Sequence, residues 1–220
     1  MNVLLFENRF DAGLKLAEQL QIPDNAVLFA VPRGGVPVAY AVAVEKELPL
    51  DLVVVKKLPA PWNPEAGFGA MAPDGTVFWA DTLGGRVSMD TVVEVGRKVL
   101  EEVKRRERVY RGSSRYPDLF GRLAVVIDDG FASGYTAARG ASFLRWLQPE
   151  RIWCVAPVCS EKALKVLREF CDRVFCLHVS RELPFAVASF YADFHDLTDE
   201  EVLAYLQDLR RRGLLLTEES

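Results

Sequence analysis

Continuous apolar runs alternate along the chain with stretches whose apolar residues recur at helical spacing. AVLFAV (26–31), DLVVVKKL (51–58), RLAVVIDDG (122–130), RIWCVAPV (151–158) and RVFCLHV (173–179) read as buried strands bounded by turn residues. Helical stretches lie between them. DAGLKLAEQL (11–20) sets Leu14, Ala17 and Leu20 on one face, and a second helix falls near 35–46. Val92, Val95, Val99 and Val103 mark a third over 88–109; others start near Gly134, running to Leu147, and at Ser160. Thr198 and Glu201 form a capping box before a last amphipathic helix. From Pro59 to about Ser88 the pattern changes to Pro, Gly and small residues, with GFGAMA and TVFWA flanking Pro73, Asp74 and Gly75 as a hairpin. The alternation predicts an α/β fold, a parallel central sheet flanked by helices. Ligands of such sheets sit beyond the carboxyl ends of the strands. That rule selects 32–35, Lys56 with Lys57, and 128–136.

Composition narrows the class. At 220 residues, half of them apolar and about a quarter charged, the chain reads as one globular domain over 1–220. Lys and Arg total 27 against 31 Asp and Glu, which disfavours sequence-blind nucleic-acid binding. The basic cluster Lys104, Arg105, Arg106, Arg108, Arg111 and Arg115 is interleaved with Glu101, Glu102 and Glu107, as on a solvated, salt-bridged helix. No apolar run approaches the roughly 20 residues of a membrane span, and the first ten residues lack a cleavage site, so a cytoplasmic protein is expected. The four cysteines contain no CxxC and read as structural thiols; His178, in a strand run, reads as a core residue.

The densest chemistry lies in AVVIDDGFASGYT (124–136). An apolar strand ends in two carboxylates, and a small-residue loop turns into a helix. A phosphate dianion needs convergent amides, hydroxyl donors and a positive helix end, which such a turn supplies. Asp128 and Asp129 point to opposite sides of the strand, and ribose diols or Mg²⁺ are partners for such acids. The alternative is a solvated acidic strand end and a plain turn. Other phosphate signatures, GxxxxGK[ST] and GxGxxG after a strand, are missing, as is the GxSxG of hydrolases.

Residues 124–136 resemble the phosphoribosyl-diphosphate (PRPP) motif of the type I phosphoribosyltransferases. VLFAVPRGGVPVA (27–39), VVVKKLPAPWNPEAGFGAMA (53–72) and FYADFHDLTDEEV (190–202) resemble a subgroup of uncharacterised bacterial predicted phosphoribosyltransferases. The resemblance implies Mg²⁺-dependent transfer of the 5-phosphoribosyl group from PRPP to a nitrogenous base or similar amine, with release of diphosphate. It also leaves open a PRPP- or nucleotide-sensing regulator with little transfer activity, and a homodimer. By the same resemblance Asp128 and Asp129 meet the ribose hydroxyls and organise Mg²⁺ through water. Gly130, Phe131, Ala132, Ser133, Gly134, Tyr135 and Thr136 hold the 5′-phosphate, and Arg33, Gly34 and Gly35 approach the diphosphate through a loop of unusual peptide conformation. Lys56 and Lys57 alternate across a strand, so one of them faces the site; Lys57 is assigned to the leaving diphosphate. The 59–87 stretch matches a flexible lid, in which Trp62, Phe68 and Trp79 are either its inner face or hairpin core. The 184–220 segment matches the hood that selects the acceptor. There Phe190, Tyr191 and Phe194 either stack on a base or staple the last helix. Enzymes acting on 6-oxopurines carry a carboxylate where this chain has Ala132, and Tyr135 is bulkier than the residue usual at its position.

Overall fold

A computed structural model describes residues 4–80 and 87–217, without the side chains of 64–66. Its strands are β1 (Ala26–Ala30), β2 (Leu50–Leu52), β3 (Lys56–Ala60), β4 (Asn63–Met71), β5 (Val77–Trp79), β6 (Leu123–Ile127), β7 (Arg151–Ser160) and β8 (Arg173–Ser180). Its α-helices are α1 (Arg9–Gln19), α2 (Gly35–Lys46), α3 (Met89–Arg106), α4 (Tyr135–Arg145), α5 (Glu161–Leu167) and α6 (Asp199–Arg211). Five strands form one parallel sheet in the order β2-β1-β6-β7-β8.

The sheet has a core on each face, and strand alternation divides the apolar runs between them. Leu28, Val125 and Ile127 pack with α1, α2 and α6, whereas Val27, Phe29 and Val126 pack with α4 and α5. Because both faces are covered, β1 and β6 are continuous apolar runs, buried at every position. Beyond α6 the chain returns to the β2 edge, where Leu50 donates to Leu214 O and Leu216 donates to Leu50 O. That closes an otherwise open edge. The capping box at Thr198 and Glu201 forms as expected. Among the described residues no helix is long and apolar enough to cross a membrane.

In four places the structure refines or departs from the sequence reading. The run 51–58 is not one strand. Pairing with β1 stops at Leu52, opposite Ala30 where β1 itself ends, and Lys56 starts a second sheet. Val53 and Val55 stay buried in one core and Val54 in another, so hydrophobicity continues through a bend that pairing does not cross. Second, the hairpin read within 59–87 is present, as part of a three-stranded antiparallel sheet, β3-β4-β5, with bulges around Pro59; 81–86 lie outside the described residues. Its hairpin turns at Gly75 (φ +81°), and Asp74 Oδ1 accepts from the amide and hydroxyl of Thr76. Phe68 is buried there against Val54, Leu58 and α3, while Trp62 and Trp79 are half exposed. Third, His178 is exposed on the edge strand β8, its ring 5.3 Å from that of Phe190. Fourth, Phe190 and Tyr191 are themselves buried, packed on Phe6, Ala12 and Val158. Three cysteines are buried and Cys176 is half-buried, all as free thiols.

Candidate functional site

From β1 the chain moves outward to β2, then returns to lay β6 on the other side of β1. The crevice at the carboxyl ends of β1 and β6 is therefore the place where an open α/β sheet binds ligands. The 31–35 loop and the 128–134 loop meet there. A Cβ at Gly35 would lie 2.5 Å from Ile127 O, and one at Gly34 would lie 2.1 Å from Asp129 Oδ2. Only glycine permits that approach. The Pro32–Arg33 peptide, inside the loop expected to be unusual, is cis.

A cleft of about 600 Å³ opens over this crevice. Asp128 and the 130–137 turn form its floor, with Lys162 of α5 beside them. Lys57, Gly67 and Gly69 of the small sheet form one wall, and Phe185, Val187 and Phe194 belong to the other. Gly130 lets the hood approach, since a Cβ there would meet the Val187 methyls at 2.6 and 2.7 Å. The turn itself is pinned from behind. Phe131 donates to Val158 O and accepts from the Ser160 amide, while the Ser160 hydroxyl donates to Ala132 O. Phe131 is thus an anchor whose amide is spent, not the phosphate donor its position in the motif implies. Gly134 adopts φ +82° and opens α4, and Tyr135 donates its amide to Ser133 Oγ at 3.3 Å. Among the described residues no backbone acceptor takes the amides of Ser133, Gly134 or Thr136. These amides and the Ser133 and Thr136 hydroxyls sit at the positive end of a helix.

The two acids separate as strand alternation requires. Asp128 borders the cleft, its Oδ1 accepting from the Asp129 amide at 2.8 Å. Asp129 turns away. Its Oδ2 accepts from Arg9 Nε at 2.9 Å, and its carbonyl accepts from the Tyr191 hydroxyl at 2.6 Å. Burial, and then the neighbouring Asp129 charge, push Asp128 well above the usual carboxylate range. Burial raises Asp129 too, but there the Arg9 guanidinium opposes it. Asp128 is thus the acid of the pair that a ligand in the cleft can reach.

The lysines separate likewise. Lys57 borders the cleft, whereas Lys56 is half-buried near Arg33, Arg105, Arg106 and Glu102. Burial first, then the Arg106 charge, lower Lys56. Arg105 and Arg106 both donate to Glu102 and hold it down at about 2. Arg106 also donates to Pro32 O at 3.4 Å, tying α3 to the 31–35 loop. Arg33, Gly34, Gly35, Lys56 and Asp129 do not line the cleft; they form its rear support and a cationic shelf beside it. Arg9 and Lys162 were not singled out from sequence. The one trace of Arg9 is a cation in the first turn of a helix, where the macrodipole favours acids.

A family model described as the phosphoribosyl transferase domain matches residues 8–195. Two Mycobacterium tuberculosis proteins, from strains CDC 1551 and H37Rv and provisionally named phosphoribosyl transferases, are each 39% identical over 212 residues. The match covers 94% of this chain and 47% of each of theirs, so the chain spans about half the length of these relatives. The crystal structure of TT1426 from Thermus thermophilus superposes with a TM-score of 0.71 at 31% identity, covering 93% of this chain and 98% of that one.

Proposed function

The chain belongs to the phosphoribosyl transferase domain family, and from that premise we propose that it transfers the 5-phosphoribosyl group of PRPP to a nitrogenous acceptor, releasing diphosphate. One observation carries the reading: the start of α4, with amides that no backbone acceptor takes, and the half-buried Asp128 carboxyl share one cleft at the β1/β6 crevice.

The 5′-phosphate lies on the amides and hydroxyls of Ser133 to Thr136, with Lys162 adding a positive charge. Asp128 accepts from the ribose hydroxyls, which fixes the sugar and its reacting carbon. Lys57 faces the diphosphate from the small sheet, and the shelf of Arg33 and Lys56 lies on the same side of the 31–35 loop. As the bond to diphosphate lengthens, negative charge grows on the leaving group, and fixed cations in a dry cleft stabilise it more than water does. No protein nucleophile is needed; the chain positions both reactants and excludes water. The β3-β4-β5 sheet is the element that closes over them.

Among the described residues no group of three His, Cys, Asp or Glu could hold a metal alone. Asp128 nevertheless fits Mg²⁺ delivered on diphosphate oxygens, since that ion is commonly bound by one or two carboxylates plus substrate phosphates. Once bound it would offset the charge of the leaving diphosphate. Asp129, engaged by Arg9, is not free to share it. The acceptor end of the cleft is apolar, with Phe185, Val187 and Phe194, and carries Ala132 in place of a base-reading carboxylate. This favours a flat acceptor held by stacking over a 6-oxopurine.

The test is diphosphate release from PRPP with Mg²⁺ across a panel of purine, pyrimidine and pyridine bases. Release dependent on one base supports the transferase. Tight PRPP binding with no release for any base overturns it in favour of a sensor on the same fold.

A further inference from the structure

Arg9, in the first turn of α1, reaches both the end of β6 and the hood. Its Nε donates to Asp129 Oδ2 at 2.9 Å and its Nη1 to the His195 carbonyl at 2.8 Å. Its guanidinium carbon stands 3.9 Å over the Phe194 ring. Both members of the ion pair are largely buried, with side chains 9% and 13% exposed. Asp129 is held from two further sides: its carboxylate fills the space above Gly34, where a Cβ would come within 2.1 Å, and its carbonyl takes the Tyr191 hydroxyl. Tyr191 in turn packs on Phe6 and Phe194, at 5.2 and 5.0 Å between ring centroids. Four separate pieces of chain thus converge on one residue, Asp129: the start of α1, the 31–35 loop, the end of β6 and the 190–195 segment. Phe194 is the member of this cluster that reaches the cleft wall.

We propose that the two acids of 128–129 have separate roles, Asp128 binding the sugar while Asp129, through Arg9, is a positioning residue that sets the Phe194 wall against which the acceptor lies. A carboxylate already accepting from a buried guanidinium and wedged over Gly34 is not disposed to accept from a ribose diol as well. Freeing it would leave Arg9 buried without a counter-charge, a strongly unfavourable state. The inference rests on reading the cleft as a PRPP site, and its test separates the two.

Calorimetric titration with PRPP and Mg²⁺ is compared for wild type, Asp128→Asn, Asp129→Asn and Arg9→Met. Hydrogen exchange is followed at the amides of Tyr191, Ala192 and Asp193, which donate to Ala188, Phe6 and Glu7. Asp128→Asn should weaken PRPP by about 100-fold, whereas Asp129→Asn and Arg9→Met should stay within about threefold of wild type. The latter two should speed exchange at those amides about tenfold or more, with α4 unchanged. The double variant Arg9→Met with Asp129→Asn, which leaves no buried charge unpaired, should recover part of that protection. With any base that supports release, Asp129→Asn should raise the KM for the base and leave the KM for PRPP alone. If Asp129→Asn weakens PRPP as much as Asp128→Asn while the 191–193 amides are unmoved, Asp129 is a sugar ligand and the inference is overturned. Should wild type bind no PRPP, the proposed function falls, and the exchange data alone decide the clamp: unchanged rates overturn it. If Asp129→Asn does not fold, Arg9→Lys keeps the charge, loses the two-pronged contact, and is read the same way.

Discussion

Two glycine-to-alanine substitutions should act in opposite directions. At Gly35 the added Cβ would lie 2.5 Å from Ile127 O and 3.1 Å from Asp128 Cα. Carbon and oxygen approach no closer than about 3.3 Å in ordinary contacts, so the overlap with the carbonyl is about 0.8 Å. Both obstructing atoms are backbone at the end of a central, paired strand, and neither can rotate aside. The start of α2 must therefore retreat from β6. Overpacking of this kind costs about 1–3 kcal/mol, and a backbone obstacle selects the upper part of that range. At about 2–4 °C per kcal/mol for a chain of this size, Gly35→Ala should lower Tm by about 4–12 °C. Gly96 sits in the middle of α3 with nothing within 4 Å of a Cβ. There alanine removes only glycine's helical disadvantage, about 0.5–1 kcal/mol, and Tm should rise by about 1–4 °C. Urea titration with an unchanged m value would confirm that the folded state is the one affected. The retreat of α2 also shifts Asp128 and the 31–35 loop, so if PRPP binds as proposed, Gly35→Ala should lose most of the thermal stabilisation that it gives wild type. A Gly35→Ala protein that melts within a degree of wild type would refute the close approach of loop and strand.

Asp51 and Arg111 form a bidentate pair at 2.8 and 3.0 Å with both side chains only 1% exposed. Asp51→Asn should therefore cost about 3–5 kcal/mol in a urea melt, while Asp51→Leu combined with Arg111→Met should cost less. Hydrogen bonds to Asp193 and then Glu201 raise the pKa of the exposed His195. Its folded value thus lies above the unfolded one, so the stabilisation is complete below the unfolded pKa of about 6.5 and disappears as pH rises through the folded value. Tm measured from pH 6 to pH 9 should fall more for wild type than for His195→Gln; parallel curves would refute this. Loss of the Thr198 cap in Thr198→Ala should cost about 1 kcal/mol by denaturant titration, and no change would show the capping box to be idle.

What could be read from the pattern was whatever burial writes into consecutive residues. β1 and β6 are covered on both faces, so AVLFA and LAVVI are apolar throughout and identify themselves. The helix starts at Ser160 and Thr198 announced themselves through the cap side chains that satisfy the first amides. The break at 53–55 was not legible, because Val53, Val54 and Val55 are as buried outside the sheet as they would be inside it. Hydrophobicity records exclusion from water; it does not record which backbone groups pair. His178 misled for the converse reason. It lies in an apolar run, yet on an edge strand with one neighbour, where its ring meets that of Phe190 and stays exposed.

The site divides along the same physical line. The turn from Gly130 to Thr136 is legible because its requirements are local: a glycine at positive φ, small side chains, and hydroxyls beside unpaired amides, all within one stretch. What Asp129 does depends on Arg9, 120 positions away, and no local spacing relates the two. Alternation along the strand already required that the adjacent acids face opposite ways. It could not say which way either faced, since that depends on what packs behind β6. With α1 and the hood behind it, the second acid meets a guanidinium in place of solvent, and of the two acids only Asp128 borders the cleft. A sugar diol and a chelated cation would then compete for Asp128 alone. Any Mg²⁺ at this site must therefore be held mainly by the oxygens of the substrate that brings it, and its affinity for the protein without PRPP should be weak.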